Sequence, residues 1–332
     1  MFKVPFIMAD EELRGNPNKM DDEGQVPVEE GIQHMSLAEN SDADSVTVTV
    51  HPLSTKPDEC WKSMKESKVI KKVKPLSLDS EKAANSIRFV CISDTHSYES
   101  KLEGKMPDGD VLIHAGDFTG AGDVDEVVAF NEFLGSLKDK YKHILVIAGN
   151  HEVSFDGIRH GLSGAAAKLY FWKSPFKYTP EASNMKDLLT NCTYLEDSSI
   201  ELYGIKIYGS PWQPPHFNLA FNLPRGDPLL QKWNSIPKDT DILITHGPPL
   251  GYGDFIARGN HVGCAELLST IQDRVKPKYH ICGHIHESYG ILTDNVTTFI
   301  NAASCNKRYQ LVNRPIIFDV PLVDLPTASA SL

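Results

Sequence analysis

The stretch Ile87-Arg-Phe-Val-Cys-Ile-Ser-Asp-Thr-His96 runs from an apolar, β-branched segment straight into a carboxylate and an imidazole. A short apolar run bounded by polar residues predicts a strand buried on both faces, as in a parallel sheet covered by helices. Two later runs repeat the design. Val111–Ala115 leads into Gly116-Asp117, and Ile144–Ala148 leads into Gly149-Asn150-His151-Glu152. Between them, Asp125–Lys138 places Val127, Phe130, Leu134 and Leu137 at spacings of 3, 4 and 3, which predicts an amphipathic helix. Short apolar runs alternating with helical patterns predict an α/β layered domain.

Outward from this centre the same texture continues. Ile200–Tyr203 and Ile205–Tyr208, split by Gly204, predict a tight hairpin. Ile242–Thr245, Tyr279–Cys282, Thr297–Asn301 and Ile316–Val320 predict further strands. Helical segments are expected over Leu162–Phe171, Met185–Leu189 and His261–Lys276, the last with Leu268, Ile271 and Val275 on one face. Residues 1–45 are acidic, poor in aromatics and without sustained periodicity, which predicts a disordered acidic N-terminal tail. The alternating run Ser45–Val50 reads as an added edge strand. Residues 46–86 are thus an extra strand and a Lys-rich connection, partly helical around Cys60 to Ile70. The main domain is expected over 87–321, and a C-terminal tail over 322–332.

The chain has 332 residues, 41% of them apolar and 23% charged. A chain of this length buries roughly 70–75% of its unfolded surface and needs no covalent staples. Its six cysteines form no CxxC pair, which argues against a zinc finger or a disulfide framework and for reduced thiols in a cytoplasmic protein. No run reaches the length of a membrane-spanning helix. The apolar patches of Met1–Ala9 run into Asp10-Glu11-Glu12, too short a hydrophobic region for a secretory signal. The sequons at Asn191 and Asn295 are discounted for the same reason. The net charge is −11, and residues 1–50, with 11 acidic and 3 basic side chains, carry −8 of it. Without a basic stripe the chain is a poor candidate for duplex nucleic acid. Lys62, Lys65, Lys68, Lys71, Lys72 and Lys74 could meet an acidic partner or a membrane surface, or form a solvated linker.

The chemistry lies at the strand ends. Asp94-Thr-His96, Gly116-Asp117, Gly149-Asn-His-Glu152, Thr245-His246-Gly-Pro-Pro249 and Gly283-His-Ile-His286 each follow an apolar strand. In α/β sheets the ligand crevice lies beyond the carboxyl ends of the strands, so five separated segments can converge on one point. Carboxylates, an amide oxygen and imidazoles together suit divalent metals such as Mn, Fe, Zn or Ni.

This pattern resembles the calcineurin-like metallophosphoesterase superfamily, all five of whose motifs occur over residues 89–286. The resemblance extends to the animal metallophosphoesterase-domain-containing (MPPED, brain-type) group through Phe89–His96, Ile147–Glu152, Phe221-Asn-Leu-Pro-Arg-Gly226, Thr245–Gly251 and Pro315–Asp319, and covers about Val46 to Pro321. It implies a four-layer α/β/β/α sandwich and two divalent ions, from among Mn, Fe, Zn, Mg and Co. Asp94, His96, Asp117 and His286 would hold one ion. Asp117, Asn150, His246 and His284 would hold the other, with a bridging hydroxide as nucleophile and His151 as general acid. It implies hydrolysis of a small phosphate ester, above all a phosphodiester of the cyclic-nucleotide type, and binding of AMP or GMP. Some group members carry Gly in place of the first His of Gly-His-x-His and are weak enzymes, so His284 implies an active one. The competing reading is a slow-turnover nucleotide-binding regulator or scaffold that keeps the metal site. Other residues stand open between two roles. Asn150, Arg225, His216 and Trp212 could contact substrate. The blander readings are a surface turn for Arg225 and the core for Trp212. His114 and Glu152 could orient ligands, or serve packing and helix capping.

Overall fold

In the strand Ser86–Ile92, Ile87, Phe89 and Cys91 face one way, Val90 and Ile92 the other, and all five are buried. The first set shares one apolar core with Ile113, Leu145, Ile207, Ile244, Ile281 and Ile300. The second set joins Leu112 and Val146 against Val127, Phe130 and Leu134 of a helix. Burial on both faces is the reason the run is apolar without alternating with polar residues.

The structure is a computed structural model and describes residues 46–156 and 185–322. In chain order its elements are α1 (Pro57–Met64), β1 (Lys71–Val73), β2 (Ser86–Ile92), β3 (Val111–Ala115), α2 (Val124–Ser136), β4 (His143–Ile147), β5 (Thr193–Tyr194), β6 (Ser198–Leu202), β7 (Ile205–Ser210), α3 (Asp227–Asn234), β8 (Ile242–Thr245), α4 (Ala265–Ser269), β9 (Tyr279–Cys282), β10 (Gly290–Thr293), β11 (Thr298–Asn301) and β12 (Ile316–Pro321). A five-stranded sheet has the order β12-β2-β3-β4-β5, parallel except for β12. A seven-stranded sheet has the order β1-β10-β11-β9-β8-β7-β6, with β7, β8, β9 and β11 parallel. The two sheets face each other across the aliphatic core. The outer face of the first is covered by α2. Trp233 of α3 and Leu267 and Leu268 of α4 pack in the layer of Tyr208, Leu243 and Phe299, which point outward from the second. The result is the expected four-layer α/β/β/α sandwich.

The sheets are joined at one end. Ser93, just past β2, donates its N–H to the Ala302 carbonyl (3.1 Å), and its own carbonyl accepts from Ser304 (2.8 Å). This stitch closes the end at which the parallel strands of both sheets terminate.

Four local expectations change. Residues 46–50 join no sheet; only Val48 of the run is buried, and the strand supplied by this region is β1, at the edge of the seven-stranded sheet. The helix expected from His261 begins at Ala265, because Asp254 clamps the preceding turn through the His261 ring (2.7 Å) and the Gly263 N–H (2.8 Å). It then continues as a π-helical stretch, Thr270–Val275. Met185–Leu188 is a single 3-10 turn. Residues 227–234, assigned no element in the sequence analysis, form the helix α3. Pro228 occupies the first turn, where its missing N–H costs no bond, and Leu229, Leu230 and Trp233 are buried. The acidic tail 1–45, the helix expected over Leu162–Phe171 and residues 323–332 lie outside the described residues.

Candidate metal centre

β2, β3 and β4 of one sheet and β8 and β9 of the other all deliver their carboxyl ends to the stitched end of the sandwich. There the polar clusters meet. Asp94 and His96 both lie 3.2 Å from the Nε2 of His286. The Nε2 of His246 is 3.2 Å from an oxygen of Asp117 and 3.2 Å from the Asn150 oxygen. The ring of His284 lies 5.1 Å from that of His246. Two groups, Asp94–His96–His286 and Asp117–His246–His284, each bring their donor atoms within 4.8 Å of one another; a third, His96–Asp117–His151, joins them.

The orientation of the imidazoles carries the chemistry. Each of four rings turns Nδ1 to a backbone carbonyl: His96 to Thr119 (3.3 Å), His151 to Gly120 (2.7 Å), His246 to Ala115 (2.8 Å) and His286 to Asn306 (3.0 Å). Nδ1 therefore carries the proton in the neutral ring, and the Nε2 lone pair faces inward. His96 and His286 consequently aim two Nε2 atoms at each other across 3.2 Å. In the neutral rings these are two lone pairs on one point, an arrangement relieved by a cation or a proton between them.

The backbone around these groups is tightly constrained. Asp94, His96, Asp117 and His284 all have positive φ, between 46° and 65°, a conformation side-chain-bearing residues rarely adopt and one that clusters at functional sites. Gly149 and Gly283 are required by close approach: a Cβ on the first would strike an Asp117 oxygen, and one on the second the Asp94 carboxylate and the Ser93 hydroxyl. Glu152 accepts from the N–H groups of Asp117 (2.9 Å), Gly149 (2.6 Å) and Thr119 (2.9 Å) and from the Thr119 hydroxyl (2.8 Å). It orients the ligand-bearing turns after β3 and β4; it does not act as a helix cap.

Residues 87–288 match the sequence profile of the calcineurin-like phosphoesterase family. A UPF0046 protein of Caenorhabditis elegans is 48% identical over 281 residues, covering 83% of this chain and 96% of that protein. Human metallophosphoesterase domain-containing protein 1 is 51% identical over 255 residues, 76% of each chain. The chain belongs to the calcineurin-like phosphoesterase family. It is a metal-dependent phosphoester hydrolase, and its buried oxygen and imidazole donors fit a divalent metal of intermediate hardness.

The electrostatics of this phosphoesterase centre follow from crowding charge into a dry place. Burial alone would raise the pKa of Asp94, but the hydrogen bond and charge of His286, with that of His246, hold it below the usual carboxylate range. Burial is likewise outweighed at Asp117 by the charges of His246 and His151. His246 answers: burial disfavours its charged form, yet the charge and hydrogen bond of Asp117 lift it to about 9. His96 falls to about 3 through burial and the neighbouring His151, and His284 falls well below its ordinary value through burial and His216. His246, against Asp117, keeps its proton, and His286 is raised likewise by the hydrogen bond and charge of Asp94, whereas burial keeps His96 and His284 neutral. Uptake of a metal ion must displace such protons. Burial and the Asp117 charge push Glu152 up to about 8, against four donors that favour its charged form.

All seven expected ligands come together, with His151 beside them, its ring 4.6 Å from that of His96. Of the residues left open, Arg225 is spent on the carbonyls of Val262 and Gly263, away from the cluster. Trp212 is buried; it donates to Asp197 (2.9 Å) and packs against Phe221 and Lys232, none of them in the cluster. His216 stands at the exposed rim. His114 is buried behind the site, with Nε2 3.0 Å from the hydroxyl of Thr95, the residue between two expected ligands. The other sheet repeats this device: Nε2 of buried His280 lies 2.8 Å from the Thr245 hydroxyl, next to His246. Sequence reasoning missed His280, although its place on a strand beside a Thr-His pair mirrors that of His114. It also missed Tyr309, whose ring lies 4.9 Å from that of His96 and 5.2 Å from that of His286. A tyrosine in a polar loop carries no local signal of such a role.

Proposed function

We propose that the centre holds two divalent ions and that the protein hydrolyses phosphodiesters, nucleotide-type esters among them. Asp94, His96, Asp117 and His286 would hold one ion, and Asp117, Asn150, His246 and His284 the other. The observation that carries this reading is the pair of Asp/His groups linked by the third, which shares His96 with one and Asp117 with the other. When bound, the ions supply Lewis acidity that activates water and neutralises phosphoryl charge.

The remaining steps belong to the chain. His151 is the proton donor to the leaving oxygen: Gly120 holds its Nδ1, so Nε2 is the nitrogen free to act. Unlike His96 it is only half-buried, which lets it regain a proton from solvent after turnover. Asn150 presents its oxygen toward His246, leaving its amide NH₂ for a phosphoryl oxygen. Glu152 holds the turns of Asp117 and Asn150 in register through the N–H groups of Asp117 and Gly149.

The test is hydrolysis of bis-p-nitrophenyl phosphate by metal-stripped protein titrated with Mn²⁺, beside a His284→Gly variant. Turnover that depends on metal and falls at least tenfold in the variant supports a two-ion phosphodiesterase. No turnover by the parent with metal shown to be bound replaces it with the nucleotide-binding regulator.

A further inference from the structure

His216 and Phe217 stand at the mouth of the centre and take no part in the chemistry above. The His216 ring is edge-on to that of His284, with centroids 4.8 Å apart, and Phe217 is edge-on to His216 at 4.4 Å. Phe217 is 70% exposed, more than any other large apolar side chain among the described residues. A single exposed apolar side chain is ordinary. This one is held in an unfavourable backbone, with φ of 47° at Phe217 and 54° at Asn218, which a bulky residue keeps only when its surroundings impose it. The surroundings do so here. Ala220 donates its N–H to the Asn150 carbonyl (3.0 Å), Phe221 donates to the Asp156 carboxylate (2.8 Å), and Gln213 donates to the Phe221 carbonyl (3.0 Å). The loop is thus built onto the turn that carries Asn150 and Glu152, and its strained tip presents a phenyl ring to solvent beside the site.

We infer that Phe217, backed by His216, is a stacking platform for a planar aromatic group of the substrate, a nucleobase or an aryl ring. The inference rests on the phosphoesterase reading and adds a subsite to it. Stacking on an exposed ring is sequence-tolerant and favours binding by about tenfold or more per ring. Trp212, with its indole N–H committed to Asp197, and Phe221 both lie in the core, so neither can serve.

The test is equilibrium binding to the Mn²⁺-loaded protein, read as ratios. One pair of ligands is phenyl phosphate against methyl phosphate; the other is AMP against ribose 5-phosphate. The native protein is expected to prefer the ring-bearing member of a pair by about tenfold. Phe217→Ala should bring that preference close to one, and Phe217→Tyr should keep it. Because Phe217 is exposed, its truncation leaves the core intact. Collapse of the AMP ratio alone identifies the ring as a nucleobase; collapse of both identifies any flat aromatic group. A preference that survives in Phe217→Ala, or is absent from the native protein while both phosphates bind, overturns the platform. Failure of every phosphate to bind overturns the phosphoesterase reading and the platform with it.

Discussion

At the scale of single residues, the role of an imidazole depends on where its second nitrogen is tied and how dry it is. His96 and His151 both give Nδ1 to a carbonyl, and their rings are neighbours. His96 is buried and its pKa is depressed to about 3, which suits a ligand. His151 is half-buried, which suits an acid that exchanges protons with water. His151 nevertheless falls within one of the metal-competent groups, so ligand and acid make different predictions. His151→Ala should keep the bound metal, measured by elemental analysis, and lose about 10²–10⁴ in kcat on esters with poor leaving groups. The loss should be much smaller for p-nitrophenolate, which leaves without a proton. Loss of metal in this variant would instead make His151 a ligand.

At the scale of elements, β2 matters most, because it carries core residues on both faces and ends in the first ligands. Its antiparallel neighbour β12 holds it by a charged clamp: Arg88 donates to both oxygens of Asp319 (2.8 and 2.9 Å) and to the carbonyls of Ser80 and Glu81. Burial raises the Asp319 pKa, but the Arg88 hydrogen bonds outweigh it and hold the carboxyl below its ordinary value. A depressed carboxylate stabilises the fold above its unfolded pKa, near 4, and loses that contribution as pH falls through the lower folded value. Asp319→Asn should therefore cost about 2 kcal/mol at pH 7 by urea denaturation, tempered because solvent reaches this edge strand. The difference between parent and variant should shrink steadily below pH 4. A difference independent of pH would mean that the clamp contributes shape and not charge.

At the scale of the whole molecule, the centre is a joint between sheets. Asp94, His96, Asp117 and Asn150 come from the five-stranded sheet, and His246, His284 and His286 from the seven-stranded one. The protein's own hydrogen bonds stitch them across the joint, by the His284 N–H to Asp94 (3.0 Å) and by His246 to the Ala115 carbonyl (2.8 Å). Metal bound across the joint should stabilise it further, by about 2.7 kcal/mol at a hundredfold excess over Kd. Chelation should then lower the melting temperature by roughly 5–10 °C for a domain of this size; an unchanged melting temperature would mean that the ion has no preferential affinity for the folded state. The order of the ligands was legible in the sequence, because each follows its own strand along the chain and strand periodicity is a local property. The grouping by sheet was not, nor was His280 behind Thr245, Tyr309 over His96, or Phe217 at the mouth. The run at 46–50 shows the converse, since a strand-like pattern forms no strand where no sheet edge accepts it. Local pattern determined the layered fold and the donor set. Which side chains meet, and which of them face water, was decided only when two sheets built from distant segments packed across one core.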